Sequence, residues 1–251
     1  MPPVLFVHGF WHGPWCWDEH VIPWFRARGY DARAVALRRH QSRHAPGLRT
    51  TRIREYVEDV AEAASKMAEP PVVVGHSMGG FITQKYLEDH VAPAAVLVAS
   101  VPPSGILGAA LRYGTRHPLR LAAANLTWSL YGVIGTPARA RQMLFGPALP
   151  DEKVREYQAK LTDDSYFVYA GMLFERPDVA RVRRTPLLVI GGELDATISP
   201  REVAAAARTY GSEPVMFPDG HDLMLEPSWE KMAERIHEFI QKTALRSSDK
   251  A

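Results

Sequence analysis

Ser77 lies in Gly75-His76-Ser77-Met78-Gly79, directly after the apolar run Val72-Val73-Val74. A serine at such a strand-to-helix turn is held in a strained backbone conformation with its hydroxyl presented as a nucleophile. Glycine fits the flanking positions because a side chain there would clash with the neighbouring strand or helix. A hydroxyl attacks only with a base beside it, and Pro218-Asp219-Gly220-His221 offers one on a loop just before the final helix. Imidazole can take the Ser77 proton and return it to a leaving group, an effect worth about 10²–10⁴ in rate. The base needs an acid to orient it, in the chain order serine, acid, histidine. Gly191-Gly192-Glu193-Leu194-Asp195 follows an apolar strand and supplies two candidates. Asp195 is favoured over Glu193 because Thr197-Ile198-Ser199-Pro200 makes it the tip of a loop leading into a helix.

Acyl transfer also needs donors for a developing oxyanion, usually backbone amides fixed in advance. The glycine turn Val7-His8-Gly9-Phe10-Trp11 and the start of the helix after Ser77 provide them. Phe10 and Met78 are the expected pair. His8 and His12 flank that turn without cysteine or carboxylate company, so no metal is expected, and no cofactor. His8 is expected to make a structural hydrogen bond. Cys16, the single cysteine, sits between Trp15 and Trp17 and reads as buried packing; it rules out an internal disulfide and agrees with a reducing compartment.

The elements that must position these residues alternate. Strands are expected at Val4–Val7, Ala32–Leu37, from Val72, at Ala95–Ala99, Leu187–Ile190 and Pro214–Phe217. Helices are expected near 15–28, 51–68, after Ser77, near 200–210 and near 227–245. This rhythm predicts an α/β fold with a mostly parallel sheet of about six strands flanked by helices. It is interrupted from 103 to 184 by several helices punctuated at His117-Pro118, Gly135-Thr136-Pro137 and Gly146-Pro147. The expected organisation is therefore a core of 1–102 and 185–246, a helical cap of 103–184 and a tail of 247–251. Trp11, Trp128, Tyr131, Phe145 and Met224 are the candidate pocket residues; the cap aromatics serve equally well to hold its helices together.

The chain has 251 residues, a net charge of +2 and 46% hydrophobic residues, so it fits one substantial core. No apolar run approaches the roughly 20 residues of a membrane span, and no membrane partner is expected. The first strand begins at Val4, without room for a secretory leader, so a cytoplasmic protein is expected. Arginines cluster from Arg26 to Arg54, but Tyr30 is the one aromatic among them and no nucleic-acid motif occurs in the stretch. A solvated face is expected there.

With turn, acid, histidine and first strand in this order, the chain resembles the α/β-hydrolase superfamily over essentially its whole length. His8-Gly9 followed by His12-Gly13-Pro14-Trp15-Cys16-Trp17 is similar to the N-terminal signature of the branch holding plant methyl esterases, hydroxynitrile lyases and many bacterial esterases. The resemblance implies a site under a cap, with Ser77 as nucleophile, Asp195 as acid, His221 as base, and Phe10 and Met78 as oxyanion donors. It implies a serine-dependent carboxylic ester hydrolase acting on a small ester-like molecule. Lactonase, thioesterase, carbon-carbon hydrolase, lyase and acyltransferase chemistry on the same fold are alternatives, and a ligand-binding receptor is an alternative of another class. The lyases of this branch carry a lysine directly after the catalytic histidine; here that position is Asp222, so cyanohydrin cleavage is not expected. The loop from Arg38 to His44 also lacks the Pro-Gly turn common in the superfamily.

Overall fold

In the computed structural model of the chain, residues 1–40, 42 and 45–248 are described, with side chains up to Thr243. The sheet strands are β1 (Val4–Val7), β2 (Ala32–Ala34), β3 (Val72–His76), β4 (Ala95–Val98), β5 (Leu187–Gly192) and β6 (Pro214–Phe217). They pair in the order β2-β1-β3-β4-β5-β6, and each described pairing is parallel. Every residue of β1, β3 and β4 is buried, as expected for a parallel sheet covered on both faces.

The helices are α1 (Trp15–Asp18), α2 (Val21–Arg26), α3 (Ile53–Ser65), α4 (Met78–Tyr86), α5 (Leu107–Arg116), α6 (Pro118–Thr127), α7 (Pro137–Leu144), α8 (Asp151–Lys160), α9 (Tyr166–Phe174), α10 (Val179–Val182), α11 (Pro200–Thr209) and α12 (Trp229–Ser248). Six of them, α5–α10, fall between β4 and β5, where the β-α rhythm of the sequence breaks. α11 starts on a capping box, Ser199 with Glu202, and Pro200 fills its first position, where a missing N–H costs nothing.

Two expectations are adjusted. The single helix expected near 15–28 is two short ones, because His20 leaves helical geometry (φ −137°) and α2 restarts with Pro23 in its first turn. The second strand ends at Ala34 rather than Leu37; it lies at the sheet edge with one neighbour, and Val35 adds only a single further bond, to the Phe6 carbonyl at 2.9 Å. The arginine cluster is largely tied to carboxylates. Arg33 pairs with Asp31, Arg38 with Asp59, Glu55 and Glu58, Arg49 with Asp163 and Arg54 with Glu58. Arg43 and His44 of that segment, and residues 249–251 of the expected tail, lie outside the described residues.

Candidate active site

The strand order reverses between β1 and β3, since the chain leaves β1 towards β2 on one side and returns to β3 on the other. In open parallel sheets that reversal opens a crevice beyond the carboxyl ends of the strands. The segments singled out in the sequence emerge at those ends: His8 to Phe10 after β1, Ser77 after β3, Asp195 after β5 and His221 after β6.

Ser77 has φ 52° and ψ −118°, a sparsely populated conformation for a residue with a side chain. Such strain costs of order 1–3 kcal/mol and persists only where the surroundings enforce it. Here its N–H donates to the Val98 carbonyl (3.0 Å) and its carbonyl accepts from Val101 N–H (3.1 Å). The two glycines of the turn are sterically required. A Cβ on Gly75 would run into Thr83 and the Gly79 carbonyl, and one on Gly79 into the carbonyls of Val7 and His8.

His221 joins the two other groups. Its Nε2 is 2.9 Å from Ser77 Oγ and its Nδ1 is 2.7 Å from Asp195 Oδ2. The second oxygen of Asp195 accepts from the N–H groups of Thr197 (2.7 Å) and Ile198 (2.8 Å), so the carboxylate is fixed by the loop that leads into α11. Burial alone would lower the His221 pKa, but the Asp195 charge and hydrogen bond, with the Asp222 charge behind them, raise it above its ordinary 6.5. The His221 backbone is anchored twice: its N–H donates to Leu144 O (2.9 Å), and its carbonyl accepts from His76 Nε2–H (3.1 Å). Burial, reinforced by the neighbouring His221, holds His76 down to about 3, so it is a neutral donor. Glu193, the rival acid, contributes only its backbone N–H, which donates to the Phe217 carbonyl.

The turn after β1 lies against the nucleophile, since a Cβ on Gly9 would come within 2.9 Å of Ser77 Cβ. Among the described residues, neither Phe10 N–H nor Met78 N–H has a hydrogen-bond partner, which leaves both available to an oxyanion. Trp11 follows at φ 67°, held there from the segment before α9: its N–H donates to Asp164 Oδ2 (2.8 Å) and its carbonyl accepts from Thr162 N–H (2.9 Å). His8 Nδ1 bonds the Gly9 carbonyl at 3.0 Å, the structural role expected of it; burial, with His40 adding to it, lowers its pKa to about 3. His12 does more than the sequence suggests. It meets the Phe10 carbonyl through Nδ1 (2.6 Å) and Asp222 through Nε2 (3.0 Å), linking the turn to the residue after His221.

Donor atoms of His76, His221 and Asp222 lie within 4.8 Å of one another. Both His221 ring nitrogens are already engaged by Asp195 and Ser77, and one Asp222 oxygen by His12. A metal bound by these three side chains would break that hydrogen-bonded chain.

A narrow cavity, partly open to solvent, begins at Phe10 and Trp11 and runs between α5, α6 and α9. Its walls are almost wholly apolar, from Ile106, Ala109, Tyr113, Ala124, Val133 and Met143 among others. Of the expected pocket residues, Trp11 lines it and four do not. Trp128 is turned outwards, stacked on Tyr166. Tyr131 sits in a turn fixed by Asp163, Phe145 packs on Tyr157, and Met224 is wholly buried in the core. These large side chains fill space elsewhere, whereas the cavity exists where α5 and α6 carry alanines. Cys16 is buried and free, as expected.

The sequence model described as "Alpha/beta hydrolase family" matches residues 4–235. Among curated proteins, the chain is 34% identical over 106 residues to "Probable esterase PIR7A" of Oryza sativa subsp. indica, with 40% of each chain covered. It is 33% identical over 112 residues to "Norfluorocurarine synthase 1" of Strychnos nux-vomica, covering 41% of this chain and 40% of that one. The matched stretch thus spans about two fifths of the length of these relatives. Among solved structures, a thermophilic esterase from Thermogutta terrifontis superposes with a TM-score of 0.71 at 20% identity, covering 97% of this chain and 90% of that one, a likeness of fold. A sequence match over nearly the whole chain, on a parallel sheet whose reversal point carries the strained serine, leads to one conclusion: the chain belongs to the alpha/beta hydrolase family.

Proposed function

We propose that the protein is a serine-dependent carboxylic ester hydrolase acting on a small molecule with an apolar group. The observation that carries this reading is the unbroken relay from Asp195 Oδ2 to His221 (2.7 Å) and on to Ser77 Oγ (2.9 Å). His221 removes the Ser77 proton as Oγ attacks the ester carbonyl, and Asp195 holds the ring in the tautomer that accepts at Nε2. The amides of Phe10 and Met78 stabilise the oxyanion. His221 then returns the proton to the departing alcohol, leaving an acyl-enzyme. A water deprotonated by His221 attacks that acyl group, and collapse of the second tetrahedral species frees the acid and restores Ser77. In this reading residues 103–184 form a cap whose cavity receives the apolar group.

The names of the curated relatives and the family match support an esterase-type reading. The test is turnover of p-nitrophenyl esters of increasing acyl length, with Ser77→Ala beside the wild type. Multiple turnovers that disappear in Ser77→Ala are expected. Stoichiometric labelling of Ser77 by a fluorophosphonate without ester turnover would overturn the esterase reading in favour of lactonase, lyase or receptor roles.

A further inference from the structure

Between Asp89 and Asp151 the chain contains no aspartate or glutamate, while it carries Arg112, Arg116, Arg120, Arg139 and Arg141. This acid-free stretch includes α5 and α6. α5 buries none of its residues fully and α6 only Ala124. One face of each helix lines the cavity, through Ala109, Ala110 and Tyr113 on α5 and Leu121 and Ala124 on α6. The opposite face is apolar and open. Leu107 and Leu111 are one turn apart on α5; Leu119 and Leu126 are seven residues apart on α6 and share a face, 84% and 87% exposed. Trp128, just past the end of α6, is 47% exposed.

The charges around this patch have one sign. Carboxylates that reach the stretch from elsewhere are paired: Glu202 with Arg112, Asp151 with Arg141 and Asp163 with Arg49. Arg116, Arg120 and Arg139 have no carboxylate partner among the described residues. Exposed leucines and a tryptophan beside unneutralised arginines are the composition of an interfacial helix face that meets anionic headgroups. A second copy of this chain would bring two cationic faces together, so the charge favours a negatively charged partner. Among the described residues no helix is long and apolar enough to cross a membrane.

We propose that the outer face of α5 and α6 docks on an anionic lipid surface, with Leu107, Leu111, Leu119, Leu126 and Trp128 entering the interface and the exposed Arg116, at the C-terminal end of α5, reaching the headgroups from its edge. This contact is peripheral and independent of the ester chemistry. Because the inner faces of the same helices wall the cavity, docking brings the cavity next to the lipid phase.

The test is flotation of the full chain with vesicles of phosphatidylcholine alone and of phosphatidylcholine containing phosphatidylglycerol. Wild type is expected to float with the anionic vesicles, less so at high salt, and not with the neutral ones. The double variant Leu119→Asp with Leu126→Asp, and separately Arg116→Glu, are expected to lose binding by about tenfold or more. Leu119 and Leu126 lie outside the cavity walls, so the leucine variant should turn over a soluble short-chain ester as wild type does, and the far-ultraviolet circular dichroism of both variants should be unchanged. Failure of the wild type to bind anionic vesicles, or equal binding by the leucine variant, would overturn the proposal. So would sedimentation showing a dimer that the leucine substitutions dissociate.

Discussion

Asp222 Oδ2 lies 3.0 Å from His12 Nε2, and the other nitrogen of His12 lies 2.6 Å from the Phe10 carbonyl. Both ring nitrogens of His12 are thus engaged by oxygens, Nδ1–H donating to the Phe10 carbonyl and Nε2 meeting the Asp222 carboxyl. The pair is buried, and it connects the turn bearing the proposed oxyanion donor to the loop bearing the proposed base. Burial would raise the Asp222 carboxyl, but the His12 charge and hydrogen bond hold it below the ordinary aspartate value.

Asp222→Asn should therefore do two things. It removes the carboxylate from a buried pair and leaves His12 Nε2 without its charged partner, a loss of about 3–5 kcal/mol in unfolding free energy. It should also slow kcat more than it raises KM, since the loosened turn mispositions a donor used in the transition state. A depressed carboxylate contributes stability above its unfolded pKa of about 3.8, and that contribution fades as pH falls through the lower folded value. The gap between wild type and variant in urea melts should thus hold at neutral pH and close only below that value. Equal melts at neutral pH would rule out the ion pair as a stabilising link.

The acid assignment separates Asp195 from Glu193. Asp195→Asn removes the charge that fixes the His221 tautomer and should cut kcat by about 10⁴, the scale of such a change in a triad. Glu193→Gln should leave kcat within a few-fold. The reverse pattern in steady-state kinetics would transfer the role to Glu193.

His221 acts as base only when neutral. Its pKa is raised, so kcat/KM should fall on the acid side with a midpoint above the ordinary 6.5. Stability runs the other way. A raised histidine pKa contributes fully below the unfolded value and is lost as pH rises through the folded one, so this group's contribution to stability is largest where activity is lowest. A pH profile with its acid limb at or below 6.5 would show that the Asp195 and Asp222 charges do not outweigh burial.

The Ser77, His221 and Asp195 contact was legible in the sequence because each residue ends a recognisable strand and the fold brings strand ends together. The glycines around Ser77 carried the same information in steric form. The His12–Asp222 link was not legible, since the two are 210 residues apart and neither lies in a motif that names its partner. Asp222 stands where the lyases of the resembling branch carry lysine, a position that says nothing of His12. Trp128, Tyr131, Phe145 and Met224 do not line this cavity, whose walls on α5 and α6 include small residues that leave space, Ala109, Ala110 and Ala124, a feature no motif marks.

Those alanines give the last prediction. Ala124 projects from α6 into the cavity and is buried, so Ala124→Phe fills volume without disturbing Ser77, His221 or Asp195. If acyl chains enter this cavity, short esters should be turned over as before, because their acyl group stays near Phe10. Longer chains lose their apolar contacts at about 0.8 kcal/mol per methylene, so excluding four of them costs about 3 kcal/mol, or roughly a hundredfold in kcat/KM. The readout is the ratio of kcat/KM for an octanoate and an acetate ester in wild type and variant. An unchanged ratio would mean that the acyl chain lies elsewhere, and that this cavity holds the alcohol or nothing in the reaction.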